Sequence, residues 1–125
     1  MNTRMKIEEI AHGIVEMCRQ DHFERALDTY YASDAESVEP SGESRVTKGL
    51  DAIRAKGEWW RQNFEVHSLS VEGPFLHGDE AFVIRFTVDM TFKPTGVRSH
   101  QDELGLYLVR DGKVFREQFF TGNVT

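Results

Sequence analysis

The sequence has little that would tie it to an oxidising compartment, a membrane or a nucleic acid. One cysteine, Cys18, stands in 125 residues, so no intrachain disulfide can form, and a reducing compartment is expected. Wholly apolar runs are only a few residues long, too short to span a bilayer. The opening MNTRMKIEEIAHG has no apolar signal-peptide core. These features together give the expectation of a cytoplasmic protein with no membrane partner. Basic clusters are missing too. Fifteen Lys and Arg face twenty-one Asp and Glu, a net charge of −6, and Asp51 and Glu58 interrupt the nearest basic run, Arg45, Lys48, Arg54 and Lys56. Phosphate-backbone binding depends on clustered cations, so no nucleic-acid partner is expected. The five histidines, His12, His22, His67, His77 and His100, show no metal-ligand spacing, and no glycine-rich phosphate loop or nucleophile elbow occurs. No metal and no cofactor is therefore expected.

What is present is ample apolar and aromatic material: 39% hydrophobic residues, among them nine Phe, two Trp and three Tyr. That is enough for one folded domain, 1–125, with a real core. Ile7, Ile10, Ala11, Ile14, Val15 and Cys18 recur at helical spacing, which predicts a helix over 5–19. Asp21 is placed to cap a second helix carrying Phe23, Ala26, Leu27 and Tyr30. Residues 35–39 read as a short strand, and Pro40-Ser41-Gly42 as a turn. A third helix starts at Thr47 or Asp51 and bears Leu50, Ile53, Gly57, Trp60 and Phe64.

After Phe64 the period changes from 3.6 to 2. Residues 66–72 alternate and end at Gly73-Pro74. In 80–92, Phe82, Ile84, Phe86, Val88, Met90 and Phe92 share one face. Residues 98–110 and 113–121 are joined by Asp111-Gly112, a pair suited to a type I′ hairpin that sets Leu108 opposite Phe115. Helices first and long strands afterwards mean α+β, a curved antiparallel sheet with helices on one face.

YYASDAESVEP, GLDAIRAKGEWW, HGDEAFVIRF and LYLVRDGKVFREQFF, taken in this order and at these spacings, resemble the nuclear transport factor 2-like superfamily. Within it they resemble the SnoaL-like proteins related to ketosteroid isomerase. The resemblance covers nearly the whole chain. It implies a cone-shaped, strongly bent antiparallel sheet wrapped around three N-terminal helices, with a pocket at the open end. It also implies a homodimer through the outer sheet face, to which Ala81, Val83 and Thr87 would contribute. Members of the family include isomerases, cyclases, dehydratases, hydrolases and proteins that only bind, so the fold alone does not choose among them.

In the isomerases the general base is a carboxylate at the end of the short strand, just before a proline. Glu39-Pro40 matches it, with Glu in place of Asp. The isomerase also uses a helical tyrosine and a protonated aspartate to hold an oxyanion. No tyrosine stands near Val15, and Tyr30 and Tyr31 lie one helix later. Asp102 lies near the second aspartate, two residues out of register. The expected hairpin register turns His100, Asp102, Leu104, Leu106 and Leu108 inward, with Glu117 and Phe119 beside them; the alternative turns Gln101, Glu103 and Tyr107 inward. The expected catalytic residues are thus Glu39, Asp102 and His100. The expected ligand walls are Trp59, Trp60, Phe64, Phe82, Phe86, Met90, Glu117, Phe119 and Tyr30. Aromatic walls with a few carboxylates suit a small apolar or amphipathic molecule with an oxygen-bearing end. Two functions follow: carboxylate acid/base catalysis on such a ligand, or ligand binding without turnover.

Overall fold

The computed structural model describes residues 3–42 and 45–122. Three helices precede or interrupt the strands: α1 (Thr3–Arg19), α2 (Phe23–Tyr30) and α3 (Leu50–Asn63). Six strands, β1 (Tyr31–Val38), β2 (Val46–Lys48), β3 (Phe64–His77), β4 (Ala81–Phe92), β5 (Val97–Arg110) and β6 (Lys113–Gly122), form one sheet in the order β2-β1-β6-β5-β4-β3. The architecture is α+β, as expected, but the sheet is mixed: β1 runs parallel to β6, and all other neighbours are antiparallel. The parallel pair is possible because α3 and the long meander separate β1 from β6 in the chain.

The apolar stripe of α1 is shut into the core, with Ile7, Ile10, Ala11, Ile14 and Val15 all nearly inaccessible. It lies chiefly across β3, and α2 adds Ala26 and Leu27. The inward face of β4 matches its period-two pattern: Phe82, Ile84, Val88 and Met90 are buried. Helix α3 packs on α2, on β1 and β2, and on the start of β3. Only Ile53 of α3 is buried, so its inner face is left to polar and aromatic side chains over the sheet.

Several local expectations are corrected. Asp21 does not cap α2; it adopts a left-handed conformation (φ 59°), and His22 stands at the N-cap without a side-chain hydrogen bond. Thr47 belongs to β2, and Gly49 (φ 90°) precedes α3. Gly73-Pro74 interrupts β3 as an irregularity without ending it. At the Asp111-Gly112 turn both residues have positive φ, 54° and 74°, as a type I′ hairpin requires. Beyond that turn the expected register lasts only two rungs. Arg110 pairs with Lys113 and Val109 with Val114, but Leu108 pairs with Arg116, so Phe115 is an extra residue in β6. No helix among the described residues is long and apolar enough to cross a membrane.

Candidate functional site

The bulge at Phe115 decides which side chains meet. It sets Glu117 opposite Tyr107, and the β1–β6 pairing sets Ser37 beside Glu117. Three neighbouring strands thereby place Ser37, Glu117 and Tyr107 in one row on the concave face. Glu39 follows Ser37 two residues on, and Tyr31, before an irregularity between Tyr31 and Glu36, turns its hydroxyl to the same Glu117 carboxyl. On β5 the same face carries Glu103, whose rung partner is Phe86 on the core side of β4. Lys56 reaches down from α3.

The polar side chains form a continuous chain of hydrogen bonds. The Tyr31 hydroxyl donates to Glu117 Oε1, and the Ser37 hydroxyl donates to Glu117 Oε2 at 2.6 Å. Lys56 Nζ donates to Ser37 Oγ at 2.7 Å and to Glu39 Oε1 at 2.8 Å. The inner end is sealed, with Glu117 1% and Ser37 0% exposed. The outer end is reached by solvent, as the Lys56 and Glu39 side chains retain 29% and 35% exposure. Among the described residues no buried side-chain nitrogen or oxygen lacks a partner.

The electrostatics follow from burial in this row. Desolvation raises the Glu103 carboxyl from the ordinary 4.5 to about 7, and the neighbouring Glu39 and Glu117 push the same way against Lys56. Burial also raises Glu117, opposed by the hydroxyls of Ser37 and Tyr31 and by Lys56. Burial and the Glu117 charge raise the Tyr31 and Tyr107 hydroxyls, so both stay protonated. The Cys18 thiol rises to about 12 for the same two reasons and is an inert part of the core.

Asp102 and His100, expected inside, lie on the convex face. Asp102 opposes Thr87 and is held by Arg85, whose Nε donates to it at 2.9 Å. That guanidinium keeps the Asp102 carboxyl below its usual range. His100 opposes Asp89 and approaches its carboxylate at 3.4 Å, beside the Arg98–Asp89 pair. The inward residues of β5 are the alternative set, Gln101, Glu103 and Tyr107. His67 is turned outward as well, by an irregularity between Val66 and Ser68, and bonds to Thr91.

The expected aromatic walls divide into three groups. Phe82 is fully buried and stacks on Tyr107 at 5.0 Å, Met90 is buried, and Phe86 and Phe119 pack partly buried against the core. Phe119 meets Tyr107 edge-on. Tyr30 is committed elsewhere: its hydroxyl fills the space over Gly13, 2.0 Å from where a Cβ would stand. Trp59 and Trp60 are not core residues. They are 53% and 38% exposed and form a rim cluster with Phe64 and Phe92, with Trp60 stacked on Phe64 at 4.9 Å. Helix α3 runs directly into β3 at Phe64, and these rings cover one another at that junction.

A groove of about 470 Å³ lined by Ala32, Asp34, Glu36, Lys48, Arg110, Asp111, Lys113 and Phe115 lies on the other side of β1. It shares no residue with the carboxyl row. The row is the stronger candidate, because coupled carboxyls and a lysine converge there on one partly solvated spot. Among the described residues no three His, Cys, Asp or Glu side chains converge as metal ligands.

A SnoaL-like domain family matches residues 5–121. The chain belongs to the SnoaL-like family. A Mesorhizobium loti protein with the provisional name SnoaL-like polyketide cyclase is 43% identical, with a TM-score of 0.86 over 91% of this chain and 97% of its own. A similarly named protein of Jannaschia sp. CCS1 shares the fold at 15% identity, with a TM-score of 0.74 over 97% and 88% of the two chains. A Bacillus subtilis protein provisionally named an isomerase does so at 16%, with a TM-score of 0.67 over 98% and 90%. No curated protein is significantly similar to this SnoaL-like chain. Of this candidate row, Glu39 and Glu117 were expected from the sequence, whereas Lys56, Ser37 and Tyr31 were not. Lys56 had a usable signal: it stands one helical turn before Trp60, on the side of α3 that carries Ile53.

Proposed function

We propose that this SnoaL-like protein binds a mostly apolar, oxygen-bearing small molecule on the concave face and moves a proton on it by carboxylate acid/base chemistry. The observation that carries this reading is the convergence of Glu39, Lys56, Glu103 and Glu117, with Glu103 raised to about 7. A carboxyl that titrates near neutrality exchanges protons readily in both directions, which is what general acid/base catalysis asks of it.

The two mouth carboxyls have different surroundings and take different roles. Glu39 faces an ammonium at 2.8 Å and is the proton acceptor. Glu103 faces other carboxyls and, in its acid form, donates to the ligand oxygen. Removal of a proton from the carbon next to a carbonyl passes that proton to Glu39. The C–H electron pair becomes the new C=C bond, and the carbonyl oxygen takes a hydrogen from Glu103 to give an enol. In a β,γ-unsaturated carbonyl, return of the proton from Glu39 to the γ-carbon shifts the double bond, and the enol hydrogen goes back to Glu103, which completes an isomerisation. Where a second carbonyl lies in the same molecule, the enol carbon attacks its carbon, the broken C=O π pair takes the proton held by Glu39, and the enol hydrogen returns to Glu103, which gives a cyclised alcohol. No step calls on a cofactor. The half-exposed ring of Trp60, one helical turn from Lys56, and the Phe64 ring stacked on it offer an apolar surface.

The specific observation favouring the second reading, binding without turnover, is that Lys56 already occupies one oxygen of Glu39. Exchange of the α-protons of 2-tetralone in D2O at neutral pH, followed by proton NMR, separates the two. Exchange in the wild type that is lost in Glu39→Gln supports the acid/base reading. Tetralone that quenches tryptophan fluorescence without exchanging supports binding alone, and exchange undiminished in Glu39→Gln rejects Glu39 as the base.

The convex face carries Phe75, Leu104 and Phe120 at 55%, 43% and 48% exposure, next to Val83 and Leu106 by register. We propose a second copy of the chain as its occupant.

A further inference from the structure

Glu117 is a carboxyl closed off from solvent at the floor of the site, and the proton transfer proposed above does not use it. Its hydrogen bonds fix its chemical state. Lys56 has only hydrogens to give, so at 2.7 Å it fills an acceptor position of the Ser37 hydroxyl. The single Ser37 hydrogen is then left for Glu117 Oε2 at 2.6 Å. The Tyr31 hydroxyl donates to the other oxygen. Both oxygens accept, which is the pattern of a carboxylate, and these two donors together with Lys56 act against the burial that raises Glu117. A buried carboxylate requires a cation, and Lys56, one hydroxyl away, is the ammonium in this network.

We infer that Glu117 is a positioning residue: as a buried anion it anchors Lys56 through the Ser37 hydroxyl, and so sets the charge around Glu39 and Glu103. Lysine carries its charge on a flexible four-carbon stem, and Glu39 alone would not fix it. The Ser37 hydroxyl supplies the second acceptor and points the stem at the floor of the site. The groups that bear on Glu117 come from every neighbouring element. They are Cys18 of α1, Tyr31 and Ser37 of β1, Glu39 at its end, Lys56 of α3, and Glu103 and Tyr107 of β5. Only Lys56 is cationic. Taking away the Glu117 charge removes a negative neighbour of Glu103 and so favours the Glu103 carboxylate, while loss of the anchor frees the ammonium that lowers Glu103 and opposes that change. Taking away Lys56 removes the lowering charge outright and raises Glu103.

This inference rests on the acid/base reading, but its test does not need turnover. The full chain labelled with 13C at the glutamate carboxyls is titrated from pH 4 to 9 as wild type, Glu117→Gln, Ser37→Ala, Lys56→Met and Ser37→Ala/Lys56→Met. A thermal melt of each monitors the fold. Glu117→Gln should lower the Glu103 midpoint by up to about one pH unit, the scale of one close charge, whereas Ser37→Ala, which keeps that charge and frees the lysine, should raise it part of the way that Lys56→Met does. Lys56→Met should raise it, a sign that general loosening of the site cannot produce. In the Lys56→Met background, Ser37→Ala should have little further effect, since the hydroxyl acts through the lysine. If Glu117→Gln does not fold, the Ser37 and Lys56 variants carry the same test. An unmoved Glu103 midpoint in Ser37→Ala, or an equal shift with and without Lys56, overturns the anchor. That outcome leaves the tetralone result standing, and failed exchange leaves the titration standing.

Discussion

Replacing Glu103 by Gln should stabilise the protein, and by an amount that depends on pH. The folded chain holds this carboxyl at about 7 against an ordinary 4.5. A raised carboxyl binds its proton more tightly in the folded state. Its favourable contribution is complete below 4.5, is lost as pH rises towards about 7, and then stays lost. Each pH unit of that window corresponds to about 1.4 kcal/mol, so the full loss is about 3 kcal/mol, a ceiling because Glu103 keeps some contact with water. Glutamine is nearly isosteric and cannot ionise, so Glu103→Gln escapes the loss. Urea melts of wild type and variant from pH 4.5 to 8.5 supply the test. Glu117 is raised in the same sense, so the difference between the two proteins isolates Glu103 where the wild-type profile alone would not. The difference should grow from pH 4.5, level off above about 7, and favour the variant. Parallel curves, or a variant less stable at pH 8 than the wild type, would refute the argument from burial and neighbouring carboxylates.

Other outcomes follow from the same geometry. Gly13→Ala should destabilise by about 1–3 kcal/mol in denaturant melts although alanine is the better helix former, because its Cβ would stand 2.0 Å from the Tyr30 hydroxyl. A second change, Tyr30→Leu, should recover most of that loss. Trp60→Ala should cost only about 1 kcal/mol, the worth of a ring stack at a 38% exposed position. A loss above about 3 kcal/mol would mean that Trp60 is packed as a core residue. Asp102→Asn should leave the Glu103 midpoint unchanged, since Asp102 pairs with Arg85 on the other side of the sheet; a moved midpoint in the carboxyl titration would reject that placement. Leu104→Arg should shift the sedimentation of the chain from dimer to monomer, and an unchanged dimer would remove the convex face as the interface.

The architecture was legible in the sequence because its signals are repeated. The α1 stripe returns every third or fourth residue and the β4 alternation runs for twelve residues. The resemblance then supplied the shape of the sheet. What was not legible came down to single residues. The Asp111-Gly112 turn gave the right hairpin, but Phe115 is an extra residue two rungs further on. The bulged Phe115 finds its own place under the Arg110 guanidinium, at 4.1 Å. A slip of one residue moves a strand's side chains to the opposite face. Glu117 therefore joins Tyr107 instead of Leu106, and Glu103 replaces Asp102 on the concave side. The leucines of β5 had argued for the opposite face, and they lie on the convex apolar patch instead. The β1–β6 pairing is not legible for a related reason: a parallel contact between distant segments leaves no local signature. Ser37 looked like an ordinary strand serine until that pairing set it beside Glu117. For Trp60, helical spacing gave a place on the Ile53 side of α3 but not its exposure where the helix passes into β3.

The most direct test is the carboxyl titration of Glu103 in the wild-type chain, with its signal assigned by its loss in Glu103→Gln. A midpoint near 7, with Asp102 titrating below the usual carboxylate range, is the result the buried row requires. A Glu103 midpoint near 4.5 would mean that water reaches this carboxyl freely, and would contradict the acid/base site.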